Sequence, residues 1–251
     1  MKNTWTIAKR EIVSFFVSPL AYVVLTASTL LMGFQFFLLA AFAASQPLSA
    51  GSSSSSPITQ FFGGTTLFYI LVLVIVPLVT MRLIAEENRS GTIESLLTAP
   101  VSEAELVIGK FLAAITFWVA LFLPTIMYVW LTSRFGDVDL GAIGATYFGL
   151  LTLGLSWMAL GVLMSAIARN QIVAAMLTFL AVGGPFMIGL GQFVVTTDEA
   201  REIFEYVSVW GHLSTYATGV VDTRYLVWDF SITAFALFLA VRVLESRRYE
   251  G

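Results

Sequence analysis

The chain has 251 residues, of which 58% are hydrophobic and only 12% are charged, and its mean hydropathy is +0.87. Soluble globular domains carry about 25% charged residues, so this composition excludes that class and indicates a membrane protein. The absence of cysteine excludes disulfides, thiolate metal sites and cysteine catalysis. A net charge of −3 argues against a nucleic-acid partner.

Residues 1–18 are predicted to form an interfacial amphipathic helix that leads into the membrane. Apolar side chains recur there at helical spacing: Trp5, Ala8, Ile12, Phe15 and Phe16. Lys9 and Arg10 fall on the other face, as expected for a helix that lies at the membrane surface. Ordinary packing at that surface explains the pattern without a specific role.

Six apolar stretches are long enough to cross the hydrocarbon layer, which takes about 20 helical residues. They cover about residues 19–44, 59–81, 106–131, 142–168, 172–195 and 225–244. The serine-rich stretch between the first two is predicted to be a water-exposed loop. The whole chain, 1–251, is therefore predicted to be a single all-α integral membrane domain, embedded as a multi-pass protein in the lipid bilayer.

The distribution of basic residues predicts the orientation of these spans. With both termini inside, ten of the 13 lysines and arginines fall on the inner side. Only Arg134, Arg201 and Arg224 fall outside. This bias predicts cytoplasmic termini in the plasma (inner) membrane, with residues 82–105 inside and residues 196–224 outside.

The outer segment, residues 196–224, is predicted to contain a second amphipathic helix. Its apolar stripe consists of Ile203, Val207, Trp210 and Leu213. His212, the single histidine, lies on this helix with no metal-ligating partners in the pattern, and is predicted to be an interfacial side chain. Ordinary membrane-surface packing again accounts for the stripe.

Polar residues are few within the spans, and the interiors of spans one to five contain no ionisable residue. This argues against proton coupling of the kind that secondary transporters use. Ser28 and Gln35 lie one heptad apart in span one, where they line a path or form an interhelical hydrogen bond. Gly154 and Gly161 in span four are spaced for close helix packing.

Two features near the outer ends of the last spans are candidate pathway or gate elements. Gly183, Gly184 and Pro185 predict either a kink that acts as a gate or close packing through small residues. Asp229, about one turn inside span six, is predicted to pair with Arg224 or to cap the helix, with a substrate contact as the third alternative.

The charged insert at residues 82–105 is predicted to consist of two helical pieces. Span two continues into the cytosol and breaks at Ser90 and Gly91. A second short helix ends at Pro100, whose ring cannot follow an intact helical turn. Ser102 then begins span three in a capping box. The insert is either a rigid finger or a solvated turn whose charges enforce topology.

The stretch "RLIAEENRSGTIESLLTAPVSEAELVIGK" resembles the cytoplasmic segment of ABC-2 type ABC transporter permeases. The matching positions are Arg82, Ala85, Glu86, Glu87, Gly91, Thr92, Glu94, Leu96, Leu97, Pro100, Val101, Gly109 and Lys110. The likeness extends over the whole chain. The segments "AKREIVSFFVSP", "GVVDTRYLVW" and "SRRYEG" look like the gliding-motility-type branch.

The resemblance implies a coupling helix that docks in a groove of a cytosolic ABC ATPase subunit. The implied coupling residues are Arg82, Glu86, Glu87, Arg89, Gly91, Thr92, Glu94, Leu96, Leu97 and Pro100. Because no complete phosphate-binding loop surrounds Gly109 and Lys110, the chain is predicted to be non-catalytic, without cofactor or metal.

Two ATPase subunits and a second permease chain, identical or not, are the implied partners. One six-span chain would form half of a translocation unit, used for export. In the alternative, the complex relays ATPase work to an extracytoplasmic accessory protein through residues 196–224 and moves no solute itself.

Overall fold

The computed structural model describes residues 2–45, 57–91, 101–134, 138–195 and 197–250. These residues are overwhelmingly helical and contain no strand. Six helical segments are long and apolar enough to cross a membrane: Pro19–Ser45, Leu67–Ser90, Glu103–Thr132, Leu140–Ile167, Gln171–Gln192 and Thr223–Arg247. The predicted all-α, six-span fold is confirmed. Most of the predicted serine loop, 46–56, lies outside the described residues.

The helices are numbered in chain order. They are α1 (Lys2–Val17), α2 (Pro19–Ser45), α3 (Pro57–Gly63), α4 (Thr66–Thr80), α5 (Ala85–Ser90), α6 (Glu103–Phe122), α7 (Ile126–Thr132), α8 (Leu140–Ile167), α9 (Gln171–Gly189), α10 (Asp198–Val207), α11 (Val209–Ala217) and α12 (Thr223–Glu250). Short 3₁₀ turns follow α6 and α9.

The second span begins later than predicted, at residue 67 rather than about 59. The preceding residues form the separate helix α3, which packs against α2 and α11. Gly63 lies so close to α11 that a Cβ built there would meet the Ala217 Cβ at 3.0 Å. The apolar residues of α3 therefore fill the space beside α11 instead of extending the span.

Helix α8 lies at the centre of the bundle and packs against α6, α9, α11 and α12. Its glycines allow this close approach. A methyl group at Gly154 would overlap the indole of Trp118, and one at Gly161 would overlap the Thr80 side chain. The close packing predicted for these two glycines is confirmed.

The two ends of the bundle differ in what they carry. The end that holds α1, α5 and the junction between α8 and α9 is here called the basal end. The C-terminal part of α12 also reaches it, since Arg247 Nη2 donates to the Ile167 carbonyl at 3.1 Å. The opposite, distal end holds α3, α10 and α11.

Helix α1 packs along α6 at the basal end. It buries Ile7, Ala8 and Phe15 against the protein, and it leaves Trp5 65% exposed. The face that packs on the protein is thus rotated from the predicted stripe. The position of α1 at a membrane surface stays a prediction.

The distal segment forms two helices, whereas one was predicted. The chain breaks at Ser208, which is extended and caps α11 by accepting from Gly211 N at 3.4 Å. Helix α11 is inserted among α3, α8 and α9. His212 and Leu213 are consequently 1% and 0% exposed, so the prediction that His212 is an interfacial side chain was wrong.

Candidate functional site

Five of the ten predicted coupling residues lie in the part of the chain that the structure describes. Those in the structure are Arg82, Glu86, Glu87, Arg89 and Gly91. Those outside the described residues are Thr92, Glu94, Leu96, Leu97 and Pro100. The structure therefore defines the base of the predicted finger and the start of the helix that follows it.

Helix α5 is short and bounded by sequence signals. It ends at Gly91, whose φ of 71° is the left-handed conformation that glycine adopts most readily at a helix C-terminus. The break predicted at this glycine is confirmed. Further along the chain, Ser102 and Glu105 form the predicted capping box at the start of α6. Both boundaries of the finger are thus fixed by local backbone chemistry.

A buried lysine holds the base of the finger to two other helices. Lys110, on α6, is only 1% exposed. Its Nζ lies 2.8 Å from Glu87 Oε1 on α5 and 3.1 Å from Glu11 Oε1 on α1. The same ammonium group donates to the Leu83 carbonyl. All three of its hydrogens therefore have acceptors, which a buried ammonium group requires.

A fourth charge completes this cluster. Arg10 lies 3.3 Å from Glu11 and 3.9 Å from Glu87. Two cations therefore face two carboxylates, and the cluster is neutral overall. Because Arg10 is largely exposed while Lys110 is not, the lysine is the member that keeps the carboxylates paired inside the protein.

Helix α8 contributes two further links to the finger base. The Ser165 hydroxyl, fully buried, accepts from the backbone N–H groups of Ile84 and Ala85, each at 3.0 Å. These are donors at the start of α5 that have no partner within the helix. Asn88 Nδ2 donates to the Ala168 carbonyl at 2.9 Å. Together with the lysine contacts, these bonds form what is here called the basal anchor: Glu11, Glu87, Asn88, Lys110 and Ser165.

The glycine before the lysine explains how α1 reaches the anchor. A Cβ at Gly109 would lie 2.8 Å from Ile7 Cγ2 and 3.0 Å from the Thr4 carbonyl. Only glycine leaves room for the backbone of α1 at this distance. The Gly109–Lys110 pair therefore places α1 against α6 and then ties the two helices together by charge.

The remaining described coupling residues have different surroundings. Arg82 donates to Ser18 Oγ at 3.0 Å and lies over the Phe15 ring, at the junction of α1 and α2. Glu86 accepts from Gln171 at the start of α9. Arg89 is exposed at the end of α5. Of these three, Arg89 is the one best placed to meet another protein.

Ser165 provides a direct test of the anchor. Ser165→Ala is expected to lower the free energy of unfolding by about 2 kcal/mol, because it leaves two buried N–H groups without an acceptor. Backbone hydrogen exchange at residues 84 and 85 should also become faster. The matched control is Ser246→Ala, an exposed serine that bonds only its own helix, for which a change within about 0.5 kcal/mol is expected. Equal stability of both variants would contradict the role given to Ser165.

The candidate pathway residues do not gather at one site. Ser28 is buried and donates to the Val24 carbonyl of its own helix at 2.6 Å. Gln35 donates to Thr65, between α3 and α4, which is the interhelical hydrogen bond that the sequence offered as one alternative. A role for either residue in a path stays a prediction.

The glycine-rich part of α9 is helical throughout. The helix continues through Pro185 and changes to a 3₁₀ turn only at Leu190. A Cβ at Gly184 would meet nothing within 4 Å, and one at Gly183 would meet only Leu73, at 3.6 Å. Tight packing therefore does not account for these two glycines, and their gate role stays a prediction.

Asp229 has other partners than the predicted one. It is 2% exposed and accepts from Ser156 Oγ on α8 at 3.2 Å. Arg224 instead pairs with Asp222, at 3.1 Å, and with Glu202, at 3.6 Å. The alternative in which Asp229 pairs with Arg224 was wrong, because the carboxyl group, six residues after the start of α12, points into the bundle.

Comparison with known protein families identifies the family of this chain. The sequence profile of a family described as ABC-2 family transporter protein matches residues 5–218. The chain belongs to the ABC-2 transporter family. The match covers the whole basal anchor and does not distinguish the gliding-motility-type branch. A search of curated proteins finds no match to the chain.

Membership of the ABC-2 family makes the chain an ABC permease subunit and a multi-pass membrane protein. ABC-2 permeases are membrane transport components and are generally non-catalytic. In this ABC-2 permease the basal anchor bonds the residues of α5 to the helices that surround them.

Proposed function

We propose that this ABC-2 permease forms half of an export unit together with a second permease chain, and that a separate cytosolic ATPase drives it through residues 92–100. In this proposal the basal end faces the cytoplasm. The basal anchor is the observation that carries the proposal. A segment that only joined two spans would not need a buried lysine, a buried serine and an asparagine at its base.

The anchor suits a segment that transmits force. Lys110 joins α5 to α1 and α6, and Glu86 joins α5 to α9. Ser165 joins the start of α5 to α8. A displacement of the finger would therefore move four neighbouring helices instead of being absorbed in a loop. Packed helices with discrete arrangements convert such small shifts into larger rearrangements.

The charged residues at the base of the finger are largely paired within the chain. Different residues are therefore proposed to anchor the finger and to dock the ATPase. Glu87 is bound to Lys110, so it holds the finger in place and is a poor candidate for an ATPase contact. Docking is assigned to the apolar pair Leu96 and Leu97, with Arg89 at the rim. Buried apolar anchors surrounded by charges are the usual source of affinity at protein interfaces.

Co-purification tests the docking role. Leu97→Asp is expected to reduce recovery of the ATPase from detergent-solubilised membranes by at least about tenfold, since loss of an interface hot spot costs about 2 kcal/mol or more. The matched control is Ile203→Asp, which changes an exposed apolar residue at the distal end. Unchanged recovery with a correctly folded Leu97→Asp chain would move docking away from the finger.

The alternative function, relay of ATPase work to an extracytoplasmic partner, assigns the contact to α10. Ile203 on this helix is 68% exposed. Stimulation of ATP hydrolysis by an outer protein, and its loss in Ile203→Asp, would support the relay. Stimulation by a small amphiphilic molecule, unaffected by Ile203→Asp, would support export.

A further inference from the structure

A second buried polar cluster lies towards the distal end, where α8, α11 and α12 meet. Its members are Ser156, His212 and Asp229, each at most 2% exposed. Ser156 Oγ donates to Asp229 Oδ1 at 3.2 Å, and His212 Nδ1 lies 4.0 Å from the same oxygen. The only histidine of the chain is thus buried beside Asp229, an acidic residue of the last span.

The hydrogen bond on the other side of the imidazole fixes its tautomer. His212 Nε2 lies 3.0 Å from the Tyr206 carbonyl oxygen. A carbonyl can only accept, so Nε2 carries a hydrogen. In a neutral imidazole Nδ1 is then an acceptor. It faces the Asp229 carboxyl group, which in its ionised form is also an acceptor, and two acceptors facing each other repel.

An ionised Asp229 would also lack a countercharge. The described lysines and arginines form no ion pair with it, and Arg224 is occupied by Asp222 and Glu202. Asp229 Oδ2 and His212 Nδ1 have no hydrogen-bond partner among the described residues. A lone carboxylate in such surroundings is costly, and an acidic residue within a span marks a functional site by default.

We propose that His212 and Asp229 together bind one proton, which enters from the distal side. The proton adds to Asp229 Oδ2, the oxygen without a hydrogen-bond partner, and the resulting carboxylic acid turns towards His212 Nδ1 and donates to it as the present 4.0 Å separation of the two side chains closes. The net charge of the pair changes from −1 to zero. Both unpartnered atoms of the imidazole–carboxyl contact are then satisfied by one hydrogen, and α11 is bonded to α12.

Burial supports this placement of the proton. It lowers the pKa of His212 to about 4, so the imidazole stays neutral at neutral pH and acts as the acceptor. The imidazole gains a charge of its own only in acid. A proton bound by the pair at neutral pH is therefore placed on the carboxyl group and not on the imidazole, which agrees with the tautomer that the Tyr206 carbonyl fixes.

A distal cleft gives the pair access to a proton. The cleft has a volume of about 510 Å³ and is lined by Glu202, Ile203, Glu205, Tyr206, Arg224 and Tyr225. Tyr206 supplies the carbonyl that holds His212, and the Tyr225 ring lies 4.1 Å from the imidazole. Two of the residues that line the cleft, Tyr206 and Tyr225, thus contact His212.

The other titratable groups near the pair can be stated element by element. Helix α10 contributes Glu205 and Tyr206, α11 contributes Tyr216, and α12 with the residue before it contributes Asp222, Arg224 and Tyr225. Helix α8 supplies only hydroxyl groups, and the sequences of α3 and α9 contain no titratable residue. Asp229 is the carboxyl group nearest to the imidazole.

Nuclear magnetic resonance of the full chain tests the proposal without a variant. Because His212 is the only histidine, ring ¹⁵N-labelled histidine gives one pair of signals in detergent. Between about pH 5 and 8, Nε2 is expected to stay protonated and Nδ1 to stay a hydrogen-bonded acceptor. An imidazole that titrates near its ordinary pKa, about 6.5, or that carries its hydrogen on Nδ1 alone, would overturn the proposal.

Infrared spectroscopy of the same sample locates the proton. A band from a protonated carboxylic acid is expected at neutral pH, and it should disappear in Asp229→Asn. The asparagine amide can still donate to Nδ1, so the histidine signals of this variant should remain those of the wild type. In vesicles, the band should be lost when the distal side, and not the basal side, is made clearly more alkaline than about pH 8. Absence of the band in wild type, or its persistence in Asp229→Asn, would contradict a proton on Asp229.

Discussion

Lys110→Met is expected to lower the free energy of unfolding by about 3 kcal/mol, the lower part of the range for breaking a buried ion pair. Methionine keeps the length of the side chain but leaves Glu11 and Glu87 facing each other with only the exposed Arg10 nearby. Both carboxylates are about one-sixth exposed, so water reduces the loss. Denaturant unfolding in detergent measures the effect.

Removal of the two carboxylate charges is expected to rescue the stability of the Lys110→Met variant. Adding Glu11→Gln and Glu87→Gln to Lys110→Met is expected to restore most of the lost stability, because no buried charge then lacks a partner. Arg10→Ala, which removes the exposed cation of the cluster, should cost less than about 1 kcal/mol. A Lys110→Met protein as stable as wild type would show that the basal anchor does not depend on the lysine.

Gly154→Ala is expected to destabilise the bundle by about 3 kcal/mol. The added methyl group would overlap the Trp118 indole, and overpacking of a core costs about 1–3 kcal/mol. Displacement of the ring also breaks the hydrogen bond from its Nε1 to the Leu150 carbonyl, 2.9 Å long, which adds the cost of an unmade buried bond. Unfolding measurements and tryptophan fluorescence report the two effects.

Gly144→Ala is the control in the same helix. A Cβ at Gly144 would meet nothing within 4 Å, and alanine favours the helix over glycine by about 0.5–1 kcal/mol. This variant should be as stable as wild type or slightly more stable. If Gly154→Ala were as stable as Gly144→Ala, the close contact with Trp118 would not restrict the residue at position 154.

The number and order of the spans could be predicted because hydropathy over about 20 residues reports the solvent directly. The start of the second span could not. Residues 57–63 adjoin the span and include Phe61 and Phe62, but in the structure they form a separate helix that packs against α11. Local breaks with their own chemistry, such as Gly91 and the capping box at Ser102, were predictable from sequence.

Only part of the basal anchor could be predicted from the sequence. Gly109 and Lys110 belong to the family pattern, but by its position in the sequence Lys110 is only one more charge on the inner face. Its partner Glu11 lies 99 residues away along the chain, and no local pattern connects them. The one available signal was that a lysine a full turn inside an apolar span needs an acidic partner.

The distal cluster escaped for a similar reason. The stripe that contains Trp210 and Leu213 predicted a helix on the membrane surface, where a histidine side chain is in contact with water. The break at Ser208 turns α11 into the bundle, and Gly149 on α8 leaves room for Tyr216. Burial of His212 follows from the break at Ser208 together with the contact between Gly149 and Tyr216. That contact involves a residue of α8, which lies outside residues 196–224.

The measurement that tests the coupling proposal most directly is site-specific crosslinking. The chain has no cysteine, so Leu97→Cys carries a single photoreactive label at the predicted docking site, and Thr218→Cys carries the same label at the exposed distal end. Labelled membranes are irradiated and the partner is identified by mass. An ABC ATPase is expected to be crosslinked from position 97 and not from position 218. An ATPase captured from position 218, or from neither position while it co-purifies with the chain, would contradict it.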